Sequence, residues 1–598
     1  MAKKTEPPSL SAPSDPTATP VGSGSTLNTP EGGHSECGSM HISATELSYV
    51  GSNHWAAIAD SIADLRDYVD RGDHLRPVDN HEDASGGETM AARHPRGRLA
   101  LCSSVHGPTF LQEYETFWAN PTDTSVVWLG LLFGMICLAA ITSGSSDLDH
   151  VGNAERAVDQ VSVYREKVAQ CLIRGEYTKC GPYVLETLVH YLYIEFLLSP
   201  DADQDLWFLL GLEVNTALRM GYHREPCHFT ALTPLQREMR RRVWATVLLS
   251  DILLSSQMGM PRMVTESQCD TAEPRNLNDA DLDAHTTEAP QSRPETEYTT
   301  STGIIARRRL LVVVGKISDL TSGVRACTYD EVKRLDQALG QAANTIPQPL
   351  RMKPVTASIT DSPEVIMARI FLRHLFYKGQ LLLHQRFLHL KSSSDEYSFA
   401  LSRKACLDAS LGSLQLQKTL DEETRPGGQL DTLRWRVTSI MNHQFLTATM
   451  ILCSLIYRNK SLQSRDTIVP ALRAARDIWT RRNATSNEAQ RATDTISFVL
   501  EEVGEIHDSA AHTPASPSSF ITNNDKLSDS INEQNTMLDA SMGFSSSTTG
   551  NIIPPFWGAC ITNPLQEDAF LGMDMELTGP GGQALHDWMA INWPNSTT

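Results

Sequence analysis

Cysteine is scarce and scattered in this chain. Its 11 thiols lie at positions 37, 102, 137, 171, 180, 227, 269, 327, 406, 453 and 560, so neither a Cys-x-x-Cys metal knuckle nor a dense disulfide framework is encoded. A reducing compartment fits this usage. Positive charge is also short, with 51 Lys and Arg against 71 Asp and Glu, a net charge of −20. A surface that coats nucleic acid needs clustered cations to displace counterions, and this balance argues against one while leaving room for a small basic module. The strings G-x-S-x-G, H-E-x-x-H, G-x-x-x-x-G-K-[ST] and G-x-G-x-x-G are absent, which removes the local signatures of α/β-hydrolases, zinc proteases, P-loops and dinucleotide sites. No catalytic site is expected. No apolar run follows the opening MAKKTEPPSLSAPSDP, so no secretory leader is expected. One stretch, Ser125 to Ser146, lacks charge altogether. Its apolar part, Val126 to Ile141, is shorter than the roughly 20 residues of a bilayer span and is flanked by Asp123, Asp147 and Asp149 rather than Lys or Arg. A buried core helix is expected there, without membrane contact.

What is present is a folded interior with polar extensions: hydrophobic residues make up 40% and charged residues 20%. Residues 1–40, rich in Pro, Ser, Thr and Gly, bury too little surface to offset the entropy of ordering and are expected to be a disordered tail. Within 41–100, Trp55, Ile58, Ile62, Leu65 and Val69 recur at three- and four-residue steps, predicting an amphipathic helix followed by a polar linker from Arg71 to Arg98. Residues 101–510 read as helix after helix, and 511–598 return to Ser, Thr, Asn and Pro. The predicted fold is all-α, one large multi-helix domain with disordered N- and C-terminal tails.

Two helices are well marked. Over Leu206 to Met220, Leu206, Leu210, Val214 and Ala217 form one stripe, Asp201, Asp203 and Asp205 sit at the positive end of the helix dipole, and Gly221 follows as a left-handed stop. In the next, Thr233, Pro234 and Gln236 make a capped start. Leu235, Met239, Val243, Val247 and Leu254 then line one face until Gly259 and Pro261 end the helix. An acidic, turn-rich loop, Asp270 to Thr300, follows. Helical patterns resume at Arg307 and continue through Ala368 to His389 and Thr438 to Tyr457.

The charged constellations read mostly as structure. Asp201/Asp203/Asp205 and Asp279/Asp281/Asp283 imitate the opening of a calcium loop, but neither has the Gly or the Glu that such a loop needs further on, so caps and loop residues are expected. The 19 His show no metal spacing, and His384 and His389 are expected to be packed or surface residues. Arg240, Arg241 and Arg242 lie inside an amphipathic helix, where Glu238 and Arg242 form an i,i+4 pair, and carboxylates inside the bundle are their expected partners. The second triplet, Arg307 to Arg309, leaves nucleic-acid contact or nuclear import open. Asp251 falls mid-helix beside Leu249 and Ile252; a buried carboxylate requires a cation or several donors, and an internal pair with an arginine is the economical expectation.

The run from Leu210 to Val264 resembles the middle homology region of the fungal Zn2Cys6 zinc-cluster transcription factors. It carries a Gly221-Tyr222-His223-Arg224 step, a Glu-x-Arg-Arg-Arg-x-Trp helix at Glu238, Arg240, Arg241, Arg242 and Trp244, the later Asp251, and the Gly259-x-Pro261 stop. Further matches are FLQEYETFWANP at Phe110 to Pro121 and DTAEPRNLNDADL at Asp270 to Leu282, and together they cover about 100 to 510. The resemblance implies an all-α regulatory domain of a nuclear protein that controls transcription, often of a metabolic or secondary-metabolite gene cluster. It also implies promoter DNA, transcription coactivators and a homo- or heterodimeric mate as partners. Relatives read DNA through an N-terminal module that shares two zinc ions among six cysteines. Here only Cys37 and Cys102 precede the helical body, so no zinc or other cofactor is expected in this chain. Either an upstream exon encodes the cluster or the protein reaches DNA through a partner that has one. The helix near Trp55 resembles a segment between cluster and middle region in relatives, which favours the first.

The tail adds a separate feature. Phe570, Leu571, Met573, Met575, Leu577, Trp588 and Trp593 are interspersed with Glu567, Asp568, Asp574, Glu576 and Asp587. This mixture suits a disordered activation segment and equally a tail that packs back on the body. The resulting expectation is a nuclear transcription regulator. Its rival is a helical scaffold or corepressor that acts through a DNA-binding partner without touching DNA.

Overall fold

Helices account for most of the described residues between 107 and 502. The computed structural model describes residues 39–42, 47–60, 104–144, 151–323, 325, 327–388, 399–458 and 464–502. Its helices are α1 Trp55–Asp60, α2 Gly107–Ala119, α3 Val126–Gly144, α4 Val151–Arg174, α5 Val184–Leu198, α6 Gln204–Arg219 and α7 Pro234–Gln257. After a long connection come α8 Thr302–Ser322, α9 Tyr329–Asn344, α10 Pro363–His384, α11 Ala400–Glu423, α12 Ser439–Arg458, α13 Arg465–Thr480 and α14 Asn487–Glu502. Two short strands, Ser39–Ile42 and Leu47–Val50, pair antiparallel ahead of α1. The sequence reading missed this hairpin and placed its first residues in the tail, because four-residue strands leave too little alternation to detect. Trp55 and Ile58 of the expected first helix lie on α1, whereas Ile62, Leu65 and Val69 lie outside the described residues.

The stops act as their chemistry predicts. At the end of α6, Gly221 adopts φ +72°, with Tyr222 N–H on the Ala217 carbonyl (3.0 Å) and Gly221 N–H on Leu218 (3.0 Å), a Schellman motif. α7 repeats it: Gly259 has φ +65° and Met260 N–H reaches the Ser255 carbonyl at 2.8 Å. Its start carries the reciprocal Thr233/Gln236 capping box. Asp203 caps α6 through Asp205 N–H at 2.9 Å, and Asp201 accepts Asn487 N–H at 2.8 Å, tying that corner to the first turn of α14.

Two large cores share one wall. α5 to α9 pack around Trp244, Val243 and Leu310, while α1 and α11 to α14 pack around Phe445, Leu452 and Trp479. α10 serves both, giving Leu372, Leu375 and Leu383 to the first core and Ile366, Met367 and Ile370 to the second. The uncharged stretch is α3, whose Leu131, Leu132, Ile136 and Leu138 are buried in the protein as a core helix. Among the described residues one helix, α12, is long and apolar enough to cross a membrane, and 89% of that window is buried in the interior.

The N-terminal strap is pinned between the two halves. Gly51 N–H donates to the Gly259 carbonyl at 2.9 Å, Trp55 enters the second core, and the His54 ring lies 4.9 Å from that of His443 on α12. A side chain at Gly259 would combine a left-handed backbone with a Cβ 2.8 Å from Gly51 N. Gly259→Ala is therefore expected to cost roughly 1–3 kcal/mol. Hydrogen exchange checks it: protection of the Gly51 amide falls first, before that of α7.

Candidate functional site

The matched motifs converge on α7. Its capped start fixes the rotation of the helix, so Val243, Trp244 and Val247 face the core while Glu238, Arg241 and Arg242 are buried toward the long connection between α7 and α8. Arg242, fully buried, places its guanidinium 2.6 Å from Asp279 Oδ1 and 3.5 Å from Glu238. Asp279 also accepts the Thr300 hydroxyl at 3.0 Å and Gly107 N–H, in the first turn of α2, at 3.3 Å. His106, the N-cap of α2, donates from Nε2 to the Asp279 carbonyl at 2.9 Å. Two of the matched blocks, at 238–244 and 270–282, thus meet at one buried ion pair, and the helix that carries the third, 110–121, is tied to it just upstream of that block by His106 and Gly107. A carboxylate at a helix N-terminus is held by the dipole and free N–H groups as well as by its arginine.

The neighbouring contacts follow the same pattern. Glu238 accepts Arg275 N–H at 3.0 Å, and burial raises its carboxyl despite the attraction of Arg242 and Arg241. Arg241 pairs with Glu225; burial opposes ionisation there, but Arg241, the Ala272 N–H and the Cys227 thiol hold the Glu225 carboxyl down at about 2. Arg240 stacks 4.0 Å over the Tyr222 ring and donates to the Met220 carbonyl. His223 lies 6.4 Å from Trp244, and its carbonyl accepts Asp270 N–H at 3.1 Å. Arg224 pairs with Asp270 at the surface, at 3.1 Å, and Pro261 is exposed just beyond α7. Asn276 secures the far end of the connection, accepting the Thr299 and Thr302 hydroxyls at 2.7 and 2.9 Å.

Asp251 departs from expectation. It has no arginine partner at contact distance: its oxygens accept Met263 and Val264 N–H, both at 2.9 Å, and the Ser255 hydroxyl at 3.3 Å. Arg262 turns away to Asp319 at 2.5 Å. The reason is the chain reversal at Gly259, which brings two main-chain donors to the carboxylate before any guanidinium can reach it. Burial still leaves the Asp251 carboxyl raised. The second arginine triplet also turns inward: Arg309 pairs with Glu273 (2.9 Å) and Glu295 (2.7 Å), and Arg308 donates to the Thr271 carbonyl. Arg307 is held at about 10 by burial. The acidic triplets are engaged singly, Asp281 with Arg293 at 2.6 Å and Asp283 with Thr286 at 2.8 Å. Among the described residues no group of three or more His, Cys, Asp or Glu could hold a metal ion. His384 is buried, with Nδ1 3.0 Å from the Ser402 hydroxyl; His389 lies outside the described residues. So do Phe570, Leu571, Asp574, Met575 and Trp588.

Sequence reasoning missed two features. One is Glu213 on α6, 1% exposed with no well-formed hydrogen bond to either oxygen; the Ser250 hydroxyl beside it donates to the Thr246 carbonyl at 3.3 Å. Burial, opposed by the nearby Ser250 hydroxyl and reinforced by Asp251, pushes the Glu213 carboxyl up to about 8. The folded state therefore keeps this proton from the ordinary carboxylate range up to about 8, and stability falls as pH rises across that window. Glu213→Gln is expected to stabilise the protein at the alkaline end by on the order of 1–3 kcal/mol and to change little in acid, as thermal melts across that range will read. The other is a cleft of about 240 Å³ between α7, α8 and the start of the connection, walled by Trp244, Leu248, Ile252 and Leu311, with Arg262 and Arg308 in its lining. Nothing in local spacing marks either one, since both arise from contacts between elements.

Residues 100–330 match the fungal specific transcription factor domain. The chain is 37% identical over 516 residues to the fusarisetin A cluster transcription factor of a Fusarium species, covering 78% of this chain and 67% of that protein. It is likewise 37% identical to the equisetin cluster transcription factor of Fusarium heterosporum, covering 78% and 73%. A Zn(2)-C6 fungal-type transcription factor of Monascus ruber is 36% identical, covering 77% of this chain and 62% of its own length. No solved structure matches. An all-helical body, the α7 motif set with its buried partners, and these relatives agree: the chain belongs to the fungal Zn(2)-C6-type transcription factor family and is a transcription regulator.

Proposed function

We propose that this protein is a nuclear, non-catalytic regulator that controls transcription of a fungal secondary-metabolite gene cluster. The observation that carries this reading is its 37% identity, over 78% of the chain, to relatives named for the metabolite clusters they regulate. Residues 101–510 serve as the regulatory domain, and the segment around Phe570, Leu571, Asp574, Met575 and Trp588 offers its acidic-apolar mixture to a coactivator groove. Arg240, Arg241 and Arg242 are engaged inside the protein, and Arg309 pairs with Glu273 and Glu295, which supports a body that regulates rather than reads DNA. Promoter contact then comes from a zinc-cluster module or a zinc-cluster partner, with a second copy or a relative as the dimer mate. The body itself holds no cofactor in this reading.

Deleting the gene and sequencing transcripts tests the function. One contiguous set of biosynthetic genes is expected to change expression, and chromatin immunoprecipitation of a tagged protein at its native locus is expected to recover their promoters. Unchanged transcripts from every biosynthetic cluster under producing conditions would contradict the reading. Occupancy that vanishes when a zinc-cluster partner is deleted assigns DNA contact to that partner and favours the scaffold alternative.

A further inference from the structure

The cleft beside Trp244 holds an arginine with no carboxylate in contact. Arg308, on α8, spends one nitrogen on the Thr271 carbonyl, while its Nε is sealed from solvent without a partner. Every carboxylate whose field reaches it is already in contact with another cation. Glu273 pairs with Arg309 at 2.9 Å, Glu266 with Lys316 at 3.0 Å, and Glu225 with Arg241. The cleft's other arginine, Arg262, is neutralised by Asp319 at 2.5 Å and held where Gly315 leaves room for its guanidinium. Arg308 therefore has no carboxylate in contact with it, and the only partner of its guanidinium is a main-chain carbonyl. Burial accordingly draws the Arg308 guanidinium below its ordinary range. A desolvated cation without a counter-ion is costly to keep, and a planar guanidinium is shaped to take a carboxylate.

The rest of the cleft is apolar: Trp244, Leu248, Ile252, Leu311, Val264 and Val312 make its walls. Its volume of about 240 Å³ is below the roughly 300–1,000 Å³ typical of drug-sized sites, so its occupant is small. Glu266 in the lining, matched only by the half-exposed Lys316, disfavours a second negative charge on that occupant. We propose that this cleft binds a small organic monocarboxylate, with its carboxylate on Arg308 and its apolar body against Trp244, Leu248 and Leu311.

Isothermal titration of the full chain tests this, with hexanoate and benzoate as probes and hexanamide as the uncharged control. The carboxylates are expected to bind with a Kd of about 1 mM or tighter and hexanamide at least about tenfold more weakly. Arg308→Gln is expected to weaken hexanoate by about tenfold or more. Val312→Trp, which fills the cleft and leaves the arginine in place, is expected to abolish binding and decides the matter if Arg308→Gln fails to fold. No heat from either carboxylate up to ~10 mM, equal binding of the amide, or full binding by the filled variant each overturns the proposal. Binding is read without promoter activity, so its failure leaves the transcriptional reading untouched.

Discussion

Arg242→Ala is expected to lower the unfolding free energy by about 3–5 kcal/mol, far more than the 0–1 kcal/mol typical of an exposed ion pair. The reason is desolvation. Arg242 is 0% and Asp279 6% exposed, so removing the cation strands a carboxylate that retains only the Thr300 hydroxyl and Gly107 N–H. Urea unfolding measures the loss. Hydrogen exchange supplies the structural signature: because Asp279 also anchors α2, protection is expected to fall at the start of α2 and through residues 276–301 before it falls in α12. Loss confined to α7 would argue that the three blocks are not joined through this pair.

Trp244→Ala, two residues along the same helix, is expected to cost a similar 3–5 kcal/mol by a different mechanism. Its ring is fully buried in the first core against His223 and the cleft, and truncation leaves a void that the α6–α8 packing cannot close. Two observations separate the cases. Trp244→Phe is expected to recover most of the stability, because the Trp244 Nε1 has no hydrogen-bond partner to lose. Arg242→Phe has no such recovery, since it leaves Asp279 buried without a cation. Thermal melts of the four variants distinguish them.

Much of this architecture was legible in the sequence because local chemistry sets it. The Thr233/Gln236 box, Pro234, Gly221 and Gly259 each determine a helix end from a few adjacent residues, and α6 and α7 begin and stop where those residues require. The Glu238/Arg242 pair was readable for the same reason, being one helical turn apart. What could not be read is pairing across space. Asp279 looks like one of three loop acids, yet it alone faces Arg242 and α2, while Asp281 and Asp283 go to Arg293 and Thr286. Asp251 shows the converse: the need for partners was evident, but their nature depended on the turn at Gly259, which presents the Met263 and Val264 amides. The hairpin at 39–50 is likewise invisible locally, since its docking depends on the Gly259 carbonyl some two hundred positions away.

A double-mutant cycle on Arg242 and Asp279 tests most directly whether the shared motif is an internal clasp. With Arg242→Ala, Asp279→Ala and the pair unfolded in urea, a coupling of about 2–3 kcal/mol is expected, so that removing Asp279 costs little once Arg242 is gone. Additivity of the two losses within about 0.5 kcal/mol would contradict the clasp and return α7's arginines to other partners.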